Sequence, residues 1–302
     1  MYLQIDPPEI CDLTKLSIFA TQFKSDFSFK SSTPMKDKVV VITGGSSGIG
    51  KALAEEFGKN GAKILITGRN KTDLDQAVLS LKQKGISISG FVADVSLEED
   101  NRKMAAEAVR LFGKIDILIN NAGITMRALF EEADMSVIKK VMDINFYGAL
   151  YATQACLPQI IGNKGSVIGI SSIAGFRGLP GRAGYSGSKF ALNGFLEVLR
   201  TELLHRHVHV LTACPGFTAS NIRNRALTKN GSVQGESPRD ENEMMTAEEC
   251  ARHIYKATVN RKKILVLTAQ GKLTVFLNKW LPSLTDTLVY NAMAKEANSP
   301  LK

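Results

Sequence analysis

Val39-Val-Val-Ile-Thr-Gly-Gly-Ser-Ser-Gly-Ile-Gly50 is a continuous apolar run that breaks into glycines and leads into a helical pattern. An unbroken β-branched run suits a strand buried on both faces of a parallel sheet. Gly44, Gly48 and Gly50 let the backbone turn sharply and come close to a ligand. The helix that follows points unpaired N–H groups and the positive end of its dipole at that turn, which suits a diphosphate. Strand, turn and helix in this order predict a nucleotide site built from Gly44, Ser46, Ser47, Gly48, Ile49 and Gly50.

The alternation continues outward from this stretch. Apolar runs at 38–43, 63–67, 87–93, 115–119, 165–170, 208–214 and 263–267 read as strands, with helical patterns between them. Such a series predicts an α/β fold, a single doubly wound parallel sheet of the Rossmann type with helices on both faces. Ser96 with Glu99, and Thr246 with Glu249, have the spacing of capping boxes that start helices. Three regions are expected: a poorly ordered extension over 1–34, a catalytic domain over 35–268, and a basic, apolar helical tail over 269–302.

Tyr185 and Lys189 are the chemically distinctive pair. Four residues apart on a helix, they share a face, so an ammonium stands beside a phenol. A neighbouring cation favours the phenolate and brings the phenol toward useful proton transfer with a carbonyl or alcohol oxygen.

Thr-Gly-x-x-x-Gly-Ile-Gly at 43–50 together with Tyr-x-x-x-Lys at 185–189 resembles the short-chain dehydrogenase/reductase family, and further elements follow in family order from about Lys36 to Val266. Asp94 in Val92-Ala-Asp-Val95 matches the aspartate that contacts the adenine ring, with Val95 beside it. Asn120-Asn-Ala-Gly123 matches the element lining the cofactor cleft, through Asn121, Ala122 and Gly123. Asn145 matches the asparagine of a proton relay, and Ser172, thirteen residues before the tyrosine, matches the catalytic serine. Pro215-Gly216 followed by Thr218 matches the turn over the nicotinamide.

The resemblance implies a hydride exchange between a nicotinamide cofactor and a ketone or secondary alcohol, with catalytic residues Asn145, Ser172, Tyr185 and Lys189. Tyr185 and Lys189 also contact the cofactor. Lys189 would lower the tyrosine pKa and hold the nicotinamide ribose, while Ser172 would hold the carbonyl oxygen. Arg69 stands after the second strand, where an acidic residue would select NAD. A guanidinium there suits the 2′-phosphate of NADP(H). Ser47 departs from the family's other NADP mark, a basic residue before the second glycine.

Helices expected at 134–162 and 184–206 imply, by the same resemblance, a homodimer or homotetramer, with Leu150, Ala155, Leu192, Phe195, Leu196 and Leu199 offered to the mate. The segment Phe217–Met245 matches the region that closes over substrate. Ile124, Thr125, Met126, Ile173, Ala174, Leu179, Phe217, Leu227, Met244 and Met245 make an apolar lining that favours a lipophilic substrate. Arg127, Arg177 and Arg182 are candidate receivers of an anionic group on it.

Cys11, Cys156, Cys214 and Cys250 are scattered without a C-x-x-C, so neither a metal site nor a disulfide framework is expected, and a cytoplasmic setting fits. No apolar stretch reaches membrane-spanning length. From Ala251 to Lys302, nine Lys/Arg against two acids carry +7 of the chain's +9. Interleaved with Phe276, Trp280 and Leu281, these lysines read as a segment for peripheral membrane contact. Nucleic acid is not expected, because no binding motif accompanies the charge. The alternatives to a lipophilic-ketone reductase are a 3-oxoacyl-carrier-protein reductase, a relative of the membrane-bound hydroxysteroid and long-chain-base reductases, and a non-catalytic nucleotide-binding protein.

Overall fold

β1 (Val39–Ile42), the apolar run, lies in the interior of the sheet with a strand paired on either side. The computed structural model describes residues 35–302, and the extension expected over 1–34 lies outside them. After β1 the chain alternates through α1 (Gly48–Lys59), β2 (Lys63–Gly68), α2 (Lys71–Lys82), β3 (Ile88–Val92), α3 (Glu98–Phe112) and β4 (Ile117–Asn120). It continues with α4 (Met135–Met142), α5 (Gly148–Gly162), β5 (Ser166–Ile170), α6 (Ala183–Glu202), β6 (His209–Cys214), α7 (Ala247–Val259) and β7 (Ile264–Val266). Two tail helices, α8 (Ala269–Trp280) and α9 (Pro282–Ala294), complete it.

All strand pairs are parallel, in the order β3-β2-β1-β4-β5-β6-β7. The order reverses between β1 and β4, and that crevice is where such sheets take ligands. Strand periodicity divides the core in two. Val40, Ile42, Ile64, Ile66 and Ile119 meet α1, α2 and α7 on one face, through Leu53, Phe57, Leu74, Leu81 and Ile254. Val41, Leu65, Leu118 and Val210 meet α3, α5 and α6 on the other, through Met104, Ala152, Ile160, Leu192 and Leu196. Each such strand reads as continuously apolar because both of its faces are covered.

Helix ends follow local chemistry. The Thr246 hydroxyl accepts from Glu249 N at 3.1 Å and starts α7 as its spacing predicts. The Ser96 box does not form: Leu97 takes the cap position, and Ser96 instead donates its N–H and hydroxyl to Asp94 Oδ1. Pro282 separates the two tail helices and begins α9, where a missing N–H costs nothing.

Leu192, Leu196 and Leu199 are buried in the chain's own core, not offered to a mate. Their spacing marks the inner face of α6, whereas Phe190 and Val198 occupy its exposed face.

Candidate active site

The glycine turn rests on β4. Thr43 Oγ1 accepts from Asn121 N and Ala122 N, at 3.0 and 3.1 Å. Asn121 Nδ2 donates back to the carbonyls of Thr43 and Gly44, both at 2.9 Å. Asn121 thus borders the cleft while its side chain braces the turn. Gly44 and Gly48 have φ of +64° and +52°, conformations that favour glycine. A Cβ on Gly44 would lie 2.9 Å from Ala122 Cα, and one on Gly50 only 2.2 Å from the Gly44 carbonyl. Ser47, at the cap position of α1, makes no side-chain cap bond, which leaves the first-turn amides to an incoming anion. This cradle fits a dinucleotide diphosphate.

Arg69 follows the last residue of β2, and one of its guanidinium nitrogens lies 3.9 Å from Asp94 Oδ2. Ser46, Ser47, Ile49, Arg69, Asp94, Val95, Ala122, Gly123, Pro215, Gly216 and Thr218 all border one cleft of about 1030 Å³.

Ser172, Tyr185 and Lys189 border the same cleft. Ser172 ends the approach from β5, and its Oγ accepts from Ala174 N at 3.1 Å. The neighbouring Ser171 also borders the cleft but is the more buried of the two, with its hydroxyl 3.5 Å from the Lys189 carbonyl. Lys189 Nζ lies 5.7 Å from the Tyr185 ring centre and donates to the Ile170 carbonyl at 2.9 Å. Asn145 is carried by a π-helical segment, Asp143–Tyr147, between α4 and α5. Single π turns recur where a helix must re-aim a side chain. Asn145 Oδ1 accepts from Ile124 N at 2.8 Å, and its Nδ2 donates to Ile124 O and Ser188 Oγ. Gly123 leaves room here: a Cβ on it would stand 3.2 Å from Asn145 Oδ1 and 3.6 Å from Lys189 Nζ.

Burial dominates the electrostatics. It raises the Tyr185 phenol above its ordinary value, against the Ser172 hydroxyl and the charges of Arg182 and Arg223. It lowers the Lys189 ammonium to about 8. The expected lowering of Tyr185 by Lys189 is therefore not the controlling effect. The lysine donates to the Ile170 carbonyl, and burial loosens its hold on its own proton while leaving it charged at neutral pH.

Ile124, Thr125, Ile173, Ala174, Leu179, Phe217 and Leu227 border the cleft as expected. Met126 does not, being fully buried against Ala128, Val137 and Val141, and Met244 and Met245 border a neighbouring smaller cavity. The tail adds Gly271, Thr274, Val289, Ala292 and Met293 to the cleft. The three candidate anion receivers hold this tail. Arg177 pairs with Asp286 and Asn278, and Arg127 and Arg182 reach Glu296. Arg223, paired with Glu241 and donating to the Thr218 carbonyl, is a further site-lining cation that no motif flagged.

The short chain dehydrogenase family model matches residues 38–231. The chain is 32% identical over 276 residues to dehydrogenase/reductase SDR family member 7B of Mus musculus, covering 89% of this chain and 85% of that protein. It is 32% identical over 283 residues to 11-beta-hydroxysteroid dehydrogenase 1A of Arabidopsis thaliana, covering 89% and 77%. A short chain dehydrogenase/reductase from Burkholderia phymatum, solved in complex with NAD, shares the fold with a TM-score of 0.76 at 23% identity, covering 83% of this chain and 96% of that one. This chain belongs to the short-chain dehydrogenase/reductase family of oxidoreductases, whose members bind NAD(P).

Proposed function

We propose that the protein is an NADP(H)-dependent oxidoreductase that interconverts a lipophilic ketone and its secondary alcohol. The observation that carries this reading is the convergence of Ser172, Tyr185 and Lys189 on an apolar-walled cleft continuous with the glycine cradle. The cradle and the α1 N-terminus would hold the diphosphate, Arg69 the 2′-phosphate, Asp94 and Val95 the adenine, and Lys189 the nicotinamide ribose. A bound nicotinamide supplies or accepts the hydride at the carbonyl carbon.

The chain's own groups handle the oxygen and its proton. Ser172 Oγ holds the carbonyl oxygen in place, a positional and electrostatic contribution. Tyr185 gives that oxygen its proton in reduction and takes it back in oxidation. Burial holds the phenol in its protonated form, the form that gives a proton in reduction, while making it a weaker acid than a phenol tuned toward neutral pH. Asn145, beside Lys189 across Gly123, would hold a water through which the proton is replaced. Purified protein with NADPH and a panel of steroid, long-chain and quinone ketones tests the reading. Tyr185→Phe should abolish turnover and leave NADPH binding nearly unchanged; retained turnover would refute the assignment.

The same proposal includes a cytoplasmic location with membrane contact through the tail, and self-association. Leu273, Phe276 and Trp280 follow i, i+3, i+7 spacing on α8, as do Leu281, Leu284 and Leu288 at the start of α9, and all six are exposed. Lys279 lies over the Trp280 ring at 5.3 Å, a pairing suited to a lipid headgroup boundary. Among the described residues no helix is long and apolar enough to cross a membrane. Exposed Phe190 and Val198 on α6 are candidates for a two-fold contact.

A further inference from the structure

Glu296 is a buried carboxylate of the C-terminal tail, bordering the smaller cavity that adjoins the cleft. Its Oε1 accepts from Arg239 Nε at 2.6 Å, and its Oε2 accepts from Arg182 Nη2 at 3.1 Å. Arg127 Nη2 stands 3.6 Å from Oε2 and donates to the adjoining Ala297 carbonyl at 2.5 Å. The three arginines come from three segments: the loop after β4, the residue before α6, and the crossing after β6. Arg182 and Arg239 themselves border the cleft with Tyr185.

Arg182 is the residue through which the tail touches the chemistry. It occupies the cap position of α6, and its carbonyl accepts from Ser186 N at 2.9 Å, closing the turn that carries Tyr185. The tail packs on the same step. Gly181 has φ of +73°, and a Cβ there would lie 3.1 Å from Pro300 Cγ. Met293 Sδ is 4.0 Å from Arg182 Nη1 and 3.9 Å from Arg239 Nη2. Three guanidiniums gathered in a buried place repel one another, and Glu296 is the carboxylate that all three approach within 4 Å. Removing a partner from a buried ionic group leaves charges uncompensated, and the side chains then move apart.

We propose that Glu296 is a positioning residue for Tyr185: by gripping Arg182 and Arg239 from the tail, it fixes the first turn of α6 and the wall beside the phenol. The inference rests on Tyr185 being the proton donor of the proposed reaction. It makes the tail part of the working site as well as its cover, and explains why the arginines face inward to the chain's own carboxylate.

The test uses the full chain with Glu296→Gln, Glu296→Asp or Asp286→Asn. Asp286→Asn releases the same tail from Arg177 and leaves the Glu296 contacts in place, so it reports general loosening. Turnover is followed with NADPH and 9,10-phenanthrenequinone as carbonyl probe, NADPH affinity by fluorescence, and backbone order over residues 183–188 by hydrogen exchange. Glu296→Gln should lower kcat by about ten- to a hundredfold, the scale of a misplaced reacting group, with NADPH affinity unchanged and faster exchange over 183–188. Glu296→Asp should recover part of the loss, and Asp286→Asn should show neither effect. Unchanged kcat and exchange in Glu296→Gln, or an equal loss in Asp286→Asn, overturns the proposal. If the wild type reduces no carbonyl probe, the oxidoreductase reading fails on its own. Exchange over 183–188 then decides for Glu296, loosening supporting it and unchanged protection overturning it. Should Glu296→Gln not fold, Arg182→Lys keeps the charge and loses the forked contact, and the same readouts apply with the same expected signs.

Discussion

Lys189 couples the candidate site to the stability of the whole chain through pH. Burial lowers its ammonium from 10.5 to about 8, since the charged form has given up water for a single carbonyl, that of Ile170. Below the lower value both folded and unfolded chains hold the proton, and the full cost of burying the charge is present. Between the two values the folded chain has released the proton and the unfolded chain still binds it, so stability rises with pH. One pH unit of proton affinity is worth about 1.4 kcal/mol, which makes the whole span about 3 kcal/mol. About 2 kcal/mol of that falls between pH 7.5 and 9.5. The assay is urea unfolding at those two pH values for wild type and for Lys189→Met. Methionine does not titrate, so subtracting the variant's pH trend removes every other group. Wild type should gain about 2 kcal/mol relative to the variant on going to the higher pH. A relative change near zero, or a loss, would show that Lys189 is not buried as a strained cation.

Arg69→Ala should weaken NADPH by about 1.5–3 kcal/mol, the worth of a hydrogen bond to a charged group, with little change for NADH. Equal losses in titrations of both cofactors would assign Arg69 to the fold, through Asp94. Gly50→Ala drives a methyl to 2.2 Å from the Gly44 carbonyl and 2.4 Å from Asn121 Nδ2, so NADPH binding should vanish in fluorescence titration; normal binding would refute the cradle. Phe276→Ser with Trp280→Ser should reduce flotation with anionic lipid vesicles at low salt while leaving the fold intact by circular dichroism. No flotation of the wild type at any salt would end the membrane reading.

The sequence by itself determined the sheet and the positions of the candidate groups. The interior strands were legible because burial on both faces demands runs such as Val39–Ile42 and Ile64–Ile66, a local signal that needs no partner to be named. The partly exposed edge strands β3 and β7 were legible from interrupted or shorter apolar runs in the same alternation. The glycine turn was equally legible, since positive φ at Gly44 and Gly48 is a backbone requirement written in residue type. Thr246 capped its helix as spacing predicted. Ser96 did not, because Asp94 competed for its hydrogen bonds from within the cleft wall.

Only the tertiary structure decided what long-range packing controls. Helical spacing marked Leu192, Leu196 and Leu199 as a stripe but did not say whether that stripe met the sheet or a second subunit. Burial against Val167 and Val210 settled it. It also decided that Arg127, Arg177 and Arg182 grip the tail, because the acids they hold lie about a hundred or more residues away and no local pattern links them. The direction of the Tyr185 pKa belongs to the same class. Adjacency to a lysine is visible in sequence, but the desolvation that outweighs it exists only once the cleft has folded around both groups.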